Sequence, residues 1–373
     1  MCLSLSSMYG EVKIMKKLLP ILLVGLLVLS GLGAVALPSK NTISYVQGND
    51  EVGAIPYELL MPIYIYGTTP TLNQVKVTSI LDQTINKLDE LENDLANWLT
   101  MEEVEQYLDE LAGLRNEIET KMVIAKGEYR GELLPEARPI QVELSAEIEW
   151  LNWVHKQMLT PENELDEKSS KIGGELGDGL GDIYRYPSLG DQQVKKNVGW
   201  FGSADTSPTF VSPNPSGPGL AGSYISTFFN AGGWSYTQLY SRFIWTSSSQ
   251  SKDIYFKGWY KGEIFGSYPW PFGNSWAKVS VEYFIIEHNT NKVKRVTFYT
   301  AERQNGFWYY ISDTYNKPEY NYYLRRSYMY SMGVKLTAQA DAWITSAYSN
   351  FAKDNDQHNW ICKWSLEYIR LHS

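Results

Sequence analysis

Ile254-Tyr255-Phe256-Lys257-Gly258-Trp259-Tyr260-Lys261-Gly262-Glu263-Ile264-Phe265 decides the fold class, because its apolar residues recur with a period of two. A β-strand sends successive side chains to opposite faces, so Ile254, Phe256, Tyr260 and Ile264 can enter a core. Tyr255, Lys257, Trp259, Lys261 and Glu263 are then left on the other face. The same alternation places Val334, Leu336, Ala338, Ala340, Ala342 and Ile344 on one side of a strand, with Lys335, Thr337, Gln339, Asp341 and Trp343 on the other. A third run sets Trp360, Cys362, Trp364, Leu366 and Tyr368 against Ile361, Lys363, Ser365, Glu367 and Ile369. Further strands are predicted over 236–246, 277–287, 293–300, 306–312 and 321–332. Eight strands without intervening helices imply an antiparallel β-sandwich, jelly-roll-like, over residues 223–373.

Moving toward the N-terminus, the period changes. Val77, Leu81, Thr84, Leu88, Leu91, Leu95 and Trp98 follow spacings of four and three, as do Val104, Leu108, Leu111, Arg115, Ile118, Met122 and Ala125. Thr100 and Glu103 between them read as a capping box that starts the second helix. A third helix, entered through Pro139, carries Ile140, Leu144, Ile148, Leu151, Val154 and Met158, with Trp150 and Trp153 beside the stripe. Residues 75–160 are therefore predicted to form a helical bundle or coiled-coil region, whose stripes bury against one another or against a second copy. Residues 161–222, dense in glycine and proline, read as a linker that resists both helix and ladder. All twelve phenylalanines, and ten of thirteen tryptophans, fall from residue 200 onward. That asymmetry predicts two compartments with separate cores.

Lys13, Lys16 and Lys17 precede an apolar run from Leu18 to Leu29, and Ala34-Val35-Ala36 follows. This is the layout of a secretory signal peptide over residues 1–36, followed by an extended arm over 37–74. The leader resembles those of secreted archaeal proteins. The expected location is secreted or cell surface, with no membrane span in the mature chain once the signal is cleaved; an uncleaved anchor is the competing reading. Cys362 is the sole cysteine after the leader and reads as a small buried hydrophobe. Net charge is −9, with 22 acidic and 9 basic residues in 75–170 against 12 and 16 in 200–373. No basic stripe suited to nucleic acid results.

The catalytic motifs fail on context. Gly217-x-Gly219-x-x-Gly222 follows a proline-rich loop where a dinucleotide fingerprint needs a strand. Ser249-x-x-Lys252 and Ser275-x-x-Lys278 sit at strand edges, and four dispersed histidines give no metal spacing. Asp354-Asn355-Asp356-Gln357-His358 lacks the glycine and distal glutamate of a helical calcium loop and reads as a solvated turn. Glu282 and Glu287 share a strand, and their odd separation sends them to opposite faces. No catalytic residue, cofactor or metal is expected. Outward rings flanked by polar groups suit stacking against a sugar or capture of a partner surface. Tyr255, Lys257, Trp259, Lys261 and Trp343 are thus the candidate ligand-binding residues of an exported, non-catalytic binding or adhesion protein. Its partner would be a glycan or a surface protein, with self-association through the helices as a further expectation. The alternatives are a secreted polysaccharide hydrolase with paired carboxylates in a sandwich cleft, and a structural subunit of a surface assembly.

Overall fold

A computed structural model describes residues 73–121, 137–160, 182–198, 203–205, 210–214, 217–228, 231–267, 274–304, 306–343, 345–352 and 362–372. The leader, the arm up to residue 72 and the acidic turn at 354–358 lie outside these residues, and the last two residues of the predicted arm open the first helix. Three helices come first: α1 (Asn73–Ala96), α2 (Met101–Lys121) and α3 (Ala137–Leu159). The capping box forms as its spacing implies. The Thr100 N–H donates to Glu103 Oε2 at 2.7 Å, and the Glu103 N–H donates to Thr100 Oγ1 at 3.4 Å, so two orphan donors at the start of α2 are satisfied reciprocally.

Two antiparallel sheets follow. The six-stranded sheet has the order β1 (Leu99–Thr100), β11 (Lys292–Gln304), β10 (Asn274–Glu287), β13 (Met329–Trp343), β8 (Ala231–Ile244) and β3 (Leu189–Val198). The nine-stranded sheet runs β4 (Ser203–Asp205), β7 (Tyr224–Phe228), β14 (Ser346–Asn350), β9 (Gln250–Gly266), β15 (Lys363–His372), β6 (Gly219–Gly222) and β5 (Phe210–Ser212). In addition, β12 (Gly306–Leu324) pairs with β9, and β2 (Ile183–Arg185) pairs with β15. The apolar faces meet as the alternation requires: Ile254, Phe256, Tyr260 and Ile264 of β9 pack in one cluster with Val334, Leu336, Ala338, Ala340 and Ala342 of β13. Cys362 is buried, as expected.

Three features depart from the sequence reading. First, the helical stripes do not form a core of their own. Leu95, Val104, Leu111, Leu144, Trp150 and Leu151 share a cluster with Trp234, Tyr236, Tyr240, Phe284 and Ile286 of the six-stranded sheet. Trp150 and Trp153 both meet Phe284 edge-on, at 6.4 and 5.7 Å. The polar face of β13, expected to meet water, is covered by α3, and Lys335, Thr337, Gln339 and Asp341 are all buried. Ion pairs make that burial tolerable. Arg138 donates two hydrogen bonds to Asp341 Oδ1, at 3.0 and 2.9 Å, and Arg295 donates to Glu147 at 2.7 Å. Alternation reports which residues share a face, and a charged face met by a complementary helix looks the same in sequence as one met by solvent.

Second, the presumed linker supplies β2 to β6, and Gly219–Gly222 is a strand leading into another strand, which disposes of the dinucleotide fingerprint. Third, β12 runs continuously through Asp313-Thr314-Tyr315-Asn316-Lys317-Pro318, where turn-forming residues predicted a break. Among the described strands β12 has a single neighbour, β9. An edge strand tolerates Pro318, since a lost N–H there breaks no ladder on its open side.

Candidate functional site

The candidate site is the outer face of the nine-stranded sheet, turned away from the sandwich core. Its axis is the outward set of β9: Tyr255, Lys257, Trp259, Lys261, Glu263 and Phe265. Cross-strand register sets Tyr310, Ser312, Thr314, Asn316 and Pro318 of β12 opposite Glu263, Lys261, Trp259, Lys257 and Tyr255. On the other flank, β15 places Lys363, Ser365, Tyr368 and Arg370 opposite Lys261, Trp259, Lys257 and Tyr255. Directly opposed residues in an antiparallel pair lie on the same face, so these side chains form one surface.

Rings gather at both ends of this surface. At one end, Phe265 lies 4.8 Å from Trp308 and 5.3 Å from Tyr348, while Trp308 stands 4.9 Å from Tyr348 and stacks at 11° on Tyr310, 6.3 Å away. Trp308 and Tyr310 remain 40% and 41% exposed. Glu263 is buried beneath them and accepts from the Asn350 amide at 3.2 Å. Burial, with Glu263 nearby, raises the Tyr348 hydroxyl well above its ordinary pKa, so it stays a neutral donor. At the other end, Tyr255 meets Tyr320 at 6.3 Å and His372 at 6.4 Å, and the Arg370 guanidinium lies 4.4 Å from its ring centre. Tyr368 meets Tyr184 edge-on at 5.1 Å. Tyr320 is the most exposed large ring described, at 61%. Lys257 lies 5.3 Å from the Tyr368 ring centre and 3.6 Å from Glu367. The Tyr368 hydroxyl, then Glu367, hold the Lys257 ammonium above the ordinary lysine value, so it is charged at neutral pH.

Tyr255, Lys257, Trp259 and Lys261 are thus brought together on one face. Trp343 is not with them, because it ends β13 opposite Asn274 in the six-stranded sheet. Sequence reasoning missed Trp308, Tyr310, Tyr320, Tyr348 and Tyr368. For Tyr368 the obstacle was a bulge between Leu366 and Tyr368. Strict alternation put Tyr368 beside Trp364 and Leu366 in the core; the extra residue sends it outward and turns Ile369 and Leu371 inward. A second bulge, between Glu319 and Tyr322, similarly separates the exposed Tyr320 from the buried Tyr322.

The carboxylates have other duties. Glu282, expected to face away from Glu287, lies buried on the helix-covered side with Lys335 at 2.7 Å and Arg295 at 3.4 Å. Asp341 is clasped by Arg138, and Asp313 accepts from the Tyr260 hydroxyl at 3.5 Å. Glu302 accepts from the Gln304 amide at 2.9 Å. Among the described residues no group of three or more His, Cys, Asp or Glu could hold a metal ion.

No family model matches the chain, and no curated protein matches it. Solved structures similar to it include a family 61 carbohydrate-binding module in complex with β-1,4-galactotriose, at 9% identity and a TM-score of 0.18, covering 47% of this chain and 90% of that one. Another is the C-terminal family 6 module of a laminarinase from Zobellia galactanivorans, at 12% identity and a TM-score of 0.15, over 52% of this chain and 99% of the module. A third is the family 11 module of a cellulosomal cellulase from Clostridium thermocellum, at 12% identity and a TM-score of 0.17, over 52% and 96%.

Proposed function

We propose that the chain is an exported, non-catalytic binding protein that holds a polysaccharide on the outer face of the nine-stranded sheet, outside the cell or at its surface. The observation that carries this reading is the set of exposed rings at the two ends of β9, with charged and hydroxyl side chains between them. Aromatic rings offer flat apolar area at low entropic cost, which suits the apolar faces of pyranose rings. Lys257, Lys261, Ser312 and Thr314 supply the donors and acceptors that hydroxyl groups require. Export is supported by the leader-like residues 1–36, and no described helix is long and apolar enough to cross a membrane.

Affinity electrophoresis of the full chain through gels containing xylan, mixed-linkage β-glucan, β-galactan or hyaluronan tests the reading. At least one polymer should retard the protein. Replacing both Trp308 and Tyr310 with alanine should weaken that interaction about 30-fold or more, at roughly 1–2 kcal/mol per exposed ring, with a cooperative unfolding transition retained. Retention unaffected by the double substitution would reject this face. Retention by none of the polymers, together with capture of a defined surface protein, would make the face a protein-docking surface.

A further inference from the structure

The two ring clusters share one face but stand far apart, and their separation bears on what kind of carbohydrate fits. Tyr255 and Phe265 are ten residues apart on the same strand, which at about 3.3 Å per residue puts roughly 33 Å between the clusters. Between them run Lys257, Trp259 and Lys261, flanked by Ser312, Thr314 and Asn316 on β12 and by Lys363 on β15. The stretch carries donors, acceptors and one large ring along its whole length.

We infer that the ligand is a linear, extended polysaccharide lying along β9, gripped at internal segments by both ring clusters at once. This deepens the carbohydrate reading above and rests on it. A monosaccharide or a single chain end can reach Tyr255 and Tyr320, or Trp308 and Tyr310, but not both pairs. A chain that spans them makes the second contact intramolecular, so its affinity exceeds that of either cluster without any new kind of contact. Both clusters keep a ring at least two-fifths exposed, Tyr320 at one end and Trp308 at the other, so neither is buried by its own neighbours. The face therefore selects for chain length and extension more than for a particular terminal sugar.

The experiment is calorimetry with a ladder of oligosaccharides cut from whichever polymer retards the protein. It uses the full chain and two variants, Tyr255→Ala with Tyr320→Ala, and Trp308→Ala with Tyr310→Ala. For the unaltered protein, affinity should climb at least tenfold as oligomers grow through about 30 Å and level off beyond it. Short oligomers should bind with two per protein, falling to one per protein in either variant. Each variant should lose at least tenfold in affinity for the long chain. Affinity that is flat with length overturns the inference while leaving carbohydrate binding intact. So does a variant at the Tyr255 end that binds the long chain as tightly as the unaltered protein. If no polymer retards the unaltered protein, both the carbohydrate reading and this inference fail.

Discussion

Glu282→Ala should destabilise the fold by about 3–5 kcal/mol, visible as a large fall in the urea midpoint. The carboxylate is buried between Arg295 and Lys335, and Thr297 donates to it at 3.2 Å. Both cations also flank the Trp150 ring, at 4.3 and 4.8 Å from its centroid, so the cluster joins α3 to the sheet. Removing the glutamate leaves two buried cations answered by Glu147 and, for Arg295, also by Glu92. Replacing Glu282 and Lys335 together with methionine should recover most of the loss, because a buried pair exchanged for apolar volume costs far less than a broken one. Burial alone would raise the Glu282 pKa, but Arg295 and Lys335 outweigh it and hold the group below its ordinary value of 4.5. A depressed carboxylate stabilises the fold above its unfolded value, and that stabilisation is lost as pH falls through the folded one. The alanine variant should therefore show a flatter acid limb. A loss under about 1 kcal/mol would mean that α3 is not held by this cluster.

Gly258→Val should cost about 3 kcal/mol, at the upper end of overpacking. A Cβ at Gly258 would lie 2.0 Å from the Ser365 carbonyl oxygen and 2.4 Å from the Tyr315 hydroxyl. The carbonyl belongs to the neighbouring strand and cannot rotate aside, and the hydroxyl is fixed by donating to that same oxygen at 2.7 Å. Gly113 on α2 makes the opposite case, with nothing within 4 Å of its added Cβ. Gly113→Ala should stabilise the protein by about 0.5–1 kcal/mol. Equal thermal shifts for the two substitutions would contradict the close approach at β9.

The residues around Gly258 also show how much the sequence could disclose. Ile254, Phe256, Tyr260 and Ile264 marked the inner face of β9 correctly, because period two needs only local sequence. What fills the gaps above Gly258 and Gly262 is Tyr315 from β12 and Phe351 after β14, and no local pattern announces that. The outward set Tyr255, Lys257, Trp259 and Lys261 was legible for the same reason as the inward one. The rings that complete the surface were not, since Tyr368 and Tyr320 depend on bulges and Trp308, Tyr310 and Tyr348 on strand order. Lys335 and Asp341 misled for a different reason. Their strand reads as half solvated, yet the partners that neutralise them, Arg138 on α3 and Glu282 on β10, come from distant sequence.

Hydroxyl-radical footprinting of the full chain, with and without a saturating concentration of the polysaccharide that retards it, tests the central claim most directly. Bound polymer is expected to suppress oxidation of Trp308, Tyr310 and Tyr320 together. Tyr309, which is 38% exposed but opposes Ile264 on the other face of β12, should be oxidised as before. Unchanged oxidation of Trp308, Tyr310 and Tyr320 under saturation would contradict the assignment of the outer face as the binding surface.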